Sequence, residues 1–171
     1  MGPKDEAVRR ANDYAASHGL TLHEELGAGV NGVVFFAERR ALDLFSPRQA
    51  AVKACYSEPE FKRERNAYLR LQEHHIVTIR NCMVPQLVNF SDDLYVIEMT
   101  IVTRPFVLDF GGAYLDRAPE FSEEVMADWR AEKIEQFGEN WPEAERILRE
   151  LECLGIYVID VHPGNIGFLK N

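Results

Sequence analysis

Asp160 and Asn165 stand in the stretch Ile159-Asp160-Val161-His162-Pro163-Gly164-Asn165, across a Pro-Gly turn and between two apolar runs. A loop of this kind brings a carboxylate and a carboxamide oxygen toward one point. The carboxylate can accept a proton from an attacking hydroxyl, and the amide oxygen is a hard ligand suited to Mg²⁺. The same residues also describe a tight turn in which Asp160 and Asn165 only satisfy backbone N–H groups.

Two further charged residues fall in apolar settings. Lys53 lies within Gln49-Ala50-Ala51-Val52-Lys53-Ala54-Cys55, a strand-like run of small apolar residues, where a lysine either finds a partner or snorkels to water from an edge. Between Pro59 and Gln72, Phe61, Glu64, Tyr68 and Leu71 recur at helical spacing, so Glu64 shares the inward stripe of an otherwise polar helix. Glu64 is the acid to pair with Lys53. Gly27, Gly29 and Gly32 sit between two strand-like runs, and Val33 to Phe36 is β-branched and aromatic, so no helix follows the third glycine. That excludes a Rossmann dinucleotide turn and leaves a glycine-rich hairpin: either an ordinary β-turn, or a backbone that approaches phosphate oxygens with Val34 over a base.

The elements that must position these residues follow in order. Asp5 to His18 reads as a leading helix ended by Gly19, and Leu20 to Leu26 as a strand. Strand-like segments recur at Ile76–Ile79 or Met83–Val88 and at Leu94–Val102, the last after a Ser91-Asp92-Asp93 turn that suggests an antiparallel pair. The pattern weakens from Thr103 to Pro119. Ser122 is an N-cap for a helix to about Phe137, and Trp141-Pro142 opens a second helix that Gly155 ends.

With 171 residues, 46% of them hydrophobic, the chain can bury one core or two small lobes around a cleft. A net charge of -9 argues against nucleic acid or anionic membrane as a partner. Cys55, Cys82 and Cys153 form no CxxC pair, and neither an N-terminal apolar signal nor a long apolar run occurs, which fits a reducing cytoplasm without disulfides or zinc.

Taken in order, a glycine-rich hairpin, a strand lysine, a helical glutamate, an apolar strand and the Asp160–Asn165 loop resemble the protein-kinase-like superfamily from about Leu22 to Phe168. The resemblance implies an α+β, two-lobed single domain. About 20–102 would form an antiparallel sheet with one helix, and about 103–171 a minimal helical lobe with the catalytic loop. It implies ATP and Mg²⁺ as cofactors. Gly27, Gly29 and Gly32 would cover the phosphates, Lys53 would hold them, and Glu64 would orient Lys53. Val34 and Ala51 would line the adenine pocket with Ile97 at its back, and the backbone of Glu98 and Thr100 would meet the adenine edge. Asp160 would be the catalytic base and Asn165 the metal ligand. The Asp-x-His-Pro-Gly-Asn form resembles aminoglycoside-phosphotransferase-like and other atypical kinases more than the His-Arg-Asp loop of ordinary protein kinases; Val158 and Ile159 stand where that His and Arg would be, and His162 replaces the loop lysine.

In that family an Asp-Phe-Gly with a second metal-binding Asp follows the catalytic loop, and none follows Asn165 here. Asp109-Phe110-Gly111 and Ala118-Pro119-Glu120 precede the loop and read as coincidence. Asp109 is expected to cap a helix or meet a ribose hydroxyl, with a displaced metal ligand as the other option. Two functions follow: a compact phosphotransferase acting on an unidentified small-molecule or protein acceptor, or a silent nucleotide-binding or interaction module. A purely structural domain is the third.

Overall fold

The computed structural model describes residues 2–41 and 45–169; the centre of the polar excursion after Arg40 and the last two residues of the expected second lobe lie outside them. The described chain is mixed α+β. Its first helix, α1 (Pro3–Ser17), starts with Pro3 in its first turn and with the Gly2 N–H donating to Asp5 Oδ2 at 2.8 Å. Gly19, at φ +67, turns the chain into the sheet.

Five strands pair antiparallel in the order β1-β2-β3-β7-β6: β1 (Leu20–Ala28), β2 (Gly32–Arg39), β3 (Gln49–Cys55), β6 (Leu87–Ser91) and β7 (Val96–Met99). Alternation divides the side chains between two faces. Opposed residues Val33, Ala54 and Val96 point to one face, which α1 covers with Ala7, Ala11, Tyr14 and Ala15. Opposed residues Val34, Lys53 and Ile97 point to the other, toward α2 (Glu58–Glu73). With both faces covered, β3 is buried from Ala50 to Cys55, which explains its small side chains. The sequence bounds β3 and nearly bounds α2; a capping box begins α2, with Ser57 N–H donating to Glu60 Oε2 at 3.0 Å. Phe61, Glu64, Ala67, Tyr68 and Leu71 form its buried stripe.

The stretch from Thr103 to Pro119, where no pattern was legible, holds two short strands, β8 (Phe106–Val107) and β9 (Ala113–Leu115). Beyond them come α3 (Glu123–Phe137), capped by the Ser122 hydroxyl accepting from Val125 N–H, and α4 (Trp141–Cys153). Strands β10 (Ile156–Val158) and β11 (Ile166–Gly167) return antiparallel to β9 and β8 respectively. The β5 strand (Cys82–Met83) extends the β8–β11 pair and is itself paired with β4 (Thr78–Ile79).

The consequence is positional. Two strands from before α3 pair with two from after α4, so the connecting segments 108–112 and 159–165 run side by side. Leu108 N–H donates to Asn165 O at 2.9 Å, and a Cβ on Gly112 would lie 3.4 Å from Asp160 Cβ. A core of Phe61, Tyr68, Leu71, Phe110, Ile147, Leu151, Ile156 and Val161 joins α2, both segments and α4. Among the described residues no helix is long and apolar enough to cross a membrane.

Candidate functional site

Where the cleft face of the five-stranded sheet meets segments 108–112 and 159–165, a cavity of about 650 Å³ opens. The glycine hairpin roofs it, and Gly27, Gly29, Gly32, Val34, Ala51, Lys53, Glu64, Thr100, Asp109 and Asp160 all contribute to its lining. Residues from five separate parts of the sequence therefore share one space.

At its inner end Lys53 Nζ lies 2.7 Å from Glu64 Oε2 and donates to Asp109 Oδ1 at 2.8 Å. Lys53 and Glu64 are buried, whereas the Asp109 side chain keeps 27% of its exposure and faces the opening. Burial works against the Lys53 ammonium, but the Glu64 and Asp109 carboxylates outweigh it and hold the lysine above its ordinary pKa. Burial pushes Glu64 up to about 7, against the pull of Lys53. For Asp109 burial is likewise unfavourable, and Lys53 with the Gly111 amide and Asn31 side chain brings it below the ordinary aspartate value. The Phe110 backbone N–H also acts on the Glu64 carboxylate, working with Lys53 against the effect of burial.

The glycines differ in what they do. A Cβ on Gly32 would lie 2.5 Å from Ala54 O, so the close approach of β2 to β3 requires this glycine. Around Gly27 and Gly29 nothing lies within 4 Å of such a Cβ, leaving open space over the cavity. Asn31, buried at the hairpin tip, packs on Gly111, where a Cβ would meet its side chain at 2.9 Å. The hairpin thus rests on the segment that carries Asp109.

The β7 side departs from expectation at Glu98 and Thr100. Glu98 is paired in the sheet with Val52, and its side chain points to the α1 face, where it accepts from Tyr14 Oη at 2.9 Å and pairs with Arg39. Its backbone is held by the ladder and does not reach the cavity. Ile97 shares the cleft face with Lys53 and is wholly buried behind the lining, to which Met99 contributes. Thr100 lines the cavity, yet its N–H donates to Gln86 O and its hydroxyl accepts from Gln86 N–H. Among the described residues the backbone groups of Ile101 and Val102, both on the cavity wall, have no partner. The unpartnered backbone edge therefore falls one or two residues after Thr100. Leu26, Val34, Ala51, Met99 and Leu108 supply the apolar walls beside it.

In the loop, Asp160 is exposed to the cavity while Asn165 is buried. Asn165 Nδ2 donates to Asp160 O at 2.5 Å and Oδ1 accepts from His162 N–H at 2.9 Å. Its amide ties the turn and stands behind the lining, so the expected metal ligand acts here as a brace. Trp129 Nε1 holds Ile159 O at 3.1 Å from the α3 side.

Asp109, whose Asp-Phe-Gly was read as coincidence on chain order, lies on the cavity with Glu64 and Asp160. What brings it there is a strand pairing that sets an earlier segment beside a later one. Among the described residues no group of three or more His, Cys, Asp or Glu side chains is placed to hold a metal ion. Mg²⁺ commonly takes one or two protein carboxylates and completes its shell with water and phosphate oxygens, so Asp109, which faces the opening, is the carboxylate that would hold it. No protein-family model matches the chain, and no curated protein is significantly similar to it.

Proposed function

We propose that the chain is an ATP- and Mg²⁺-dependent phosphotransferase of compact, two-lobed, kinase-like form. The observation that carries this reading is the buried Lys53–Glu64 pair, 2.7 Å apart, opening on the same cavity as Asp109 and Asp160. Phosphoryl transfer asks for positioning and charge neutralisation more than covalent chemistry. Lys53 supplies a positive charge for phosphate oxygens, and Glu64 fixes where that charge sits. Gly27 and Gly29 leave room for a phosphate chain beneath the hairpin. The apolar walls suit an adenine ring, with Ile101 and Val102 offering backbone groups to its edge. Asp160 accepts the proton of the attacking hydroxyl, and Asp109 takes the metal position expected of an Asp-Phe-Gly. Mg²⁺ held at Asp109 would neutralise phosphate charge. In this reading the two halves of the second lobe are exchanged in chain order, with Asp-Phe-Gly ahead of the catalytic loop in sequence and beside it in space.

Asn165 favours a second reading. With both of its amide atoms engaged in the loop, the protein offers fewer metal ligands than the family pattern requires, as a silent nucleotide-binding module would. Thermal stabilisation by ATP with and without Mg²⁺ separates these from a structural domain, which gains nothing from either; a ligand at a hundred times its Kd adds about 2.7 kcal/mol. Phosphate transfer to the protein itself, to hydroxylated or aminoglycoside-like acceptors, or to water supports the enzyme. Binding without any transfer supports the module.

A further inference from the structure

Helix α2 carries more than Glu64 to the site. Arg63, its neighbour, donates from Nε to Gly111 O at 2.9 Å, two residues past Asp109. Two turns further along, Arg70 forks onto Asp116, with Nη1 at 2.6 Å from Oδ1 and Nη2 at 2.9 Å from Oδ2. The same Nη1 reaches Leu154 O and Gly155 O, each at 3.3 Å. Between the two arginines, Tyr68 sets its ring edge-on to Phe110 with centroids 5.2 Å apart. One helix thus grips the segment bearing Asp109, the end of β9, and the turn that leads through β10 into the Asp160 loop.

The turn is shaped around this grip. Gly155 has φ +72, and a Cβ there would lie 2.8 Å from Arg70 Nη1, so a larger residue would displace the guanidinium. Asp116 is a non-glycine residue held at φ +64, a conformation that persists where its surroundings impose it. A bidentate guanidinium–carboxylate contact is directional in a way that a lysine contact is not.

We propose that Arg70, with Asp116 and the Leu154–Gly155 carbonyls, is a positioning clasp that docks α2 and thereby holds Glu64 against Lys53. It deepens the phosphotransferase reading by assigning assembly of that site to a permanent contact within the fold. Arg70 touches none of the reacting groups; it acts through the placement of Glu64.

The test reads Lys53 directly. Lys53 and Lys133 are the buried lysines among the described residues, so a small amine-reactive reagent, with sites mapped by mass spectrometry, reports opening at each. Arg70→Gln and Asp116→Asn should each raise Lys53 labelling about five- to tenfold and leave Lys133 unchanged, with Arg70→Lys in between. Asp116 is exposed, so its variant keeps the fold if Arg70→Gln does not. Arg80→Gln, which breaks the exposed contacts of Arg80 with Glu143 and Glu150, should change neither lysine. Parental Lys53 labelling in both clasp variants overturns the proposal, and so does an equal rise at Lys53 and Lys133, which would mean general loosening. Adding ATP with Mg²⁺ to the parent protein separates the two readings: no protection of Lys53 sinks nucleotide binding and leaves the clasp standing.

Discussion

Asp109 accepts a hydrogen bond from the Lys53 ammonium at 2.8 Å across 56 residues of sequence, and Glu64 lies 2.7 Å from the same nitrogen. One buried cation thus serves two carboxylates. Removing it leaves Glu64 buried without its counter-charge, and Asp109 with only the Gly111 amide and the Asn31 side chain.

Lys53→Met should therefore destabilise the protein by about 3–5 kcal/mol, since breaking a buried pair from one side costs far more than replacing it whole. Adding Glu64→Leu should recover part of that loss while nucleotide binding stays absent. Denaturant midpoints of the parent, single and double variants measure this. A double variant less stable than Lys53→Met would show that Glu64 is held by contacts other than Lys53.

The raised Glu64 pKa has a signed effect on stability. With a folded value of about 7 against an ordinary 4.5, the native state keeps a proton that the unfolded chain has released between those pH values. Stability contributed by Glu64 is thus fully present below about pH 4.5 and declines as pH rises to about 7. Relative to Glu64→Gln, the parent should lose on the order of 2 kcal/mol between pH 4.5 and 7.5. Parallel pH profiles of unfolding free energy would remove the assignment.

The elements that hold Lys53 and Glu64 were legible because each depends on local pattern. β3 announces itself by small apolar residues that two covered faces demand, and α2 by a stripe with a capping box ahead of it. Asp160 was legible from its Pro-Gly turn. Asp109 was not, because its place depends on β8 pairing with β11 and β9 with β10, ladders of two and three residues without local periodicity. The β7 edge was hard to read for a related reason: which backbone groups stay unpartnered, those of Ile101 and Val102, depends on where the Gln86–Thr100 contacts end the ladder.

Glu98 then becomes a stability residue. Tyr14→Phe removes the 2.9 Å hydrogen bond to a buried carboxylate and should cost about 1–3 kcal/mol, read as a lower denaturant midpoint. ATP affinity at saturating stability should stay at the parental value, because Tyr14 and Glu98 lie on the face away from the cavity. A tenfold weaker affinity in a folded Tyr14→Phe protein would return Glu98 to the site.

Gly32 and Gly27 should separate fold from ligand. Gly32→Ala drives a Cβ to 2.5 Å from Ala54 O and should destabilise the sheet by a few kcal/mol, seen in thermal melts without ligand. Gly27→Val meets nothing in the free protein and should melt near the parent, yet its side chain occupies the space assigned to phosphates. ATP stabilisation should then fall in Gly27→Val. Retention of the full ATP shift in that variant would mean that the hairpin does not cover the nucleotide.

The proposed function gives Asp109 and Asp160 different roles, and neutralising each in turn distinguishes them. Asp160→Asn removes the proton acceptor but leaves Lys53, Glu64 and Asp109 as they are, so ATP with Mg²⁺ should bind as in the parent while transfer falls by about 10²-fold or more. Asp109→Asn takes away a hard anionic metal ligand and one partner of Lys53. Thermal stabilisation by ATP alone should persist, and the extra stabilisation added by Mg²⁺ should disappear. The comparison holds whether or not the acceptor is known, since the Mg²⁺ increment is read from melting alone. An undiminished Mg²⁺ increment in Asp109→Asn would place the metal elsewhere and return the Asp-Phe-Gly segment to coincidence. An Asp160→Asn protein as active as the parent would overturn the assigned chemistry even if nucleotide binding stands.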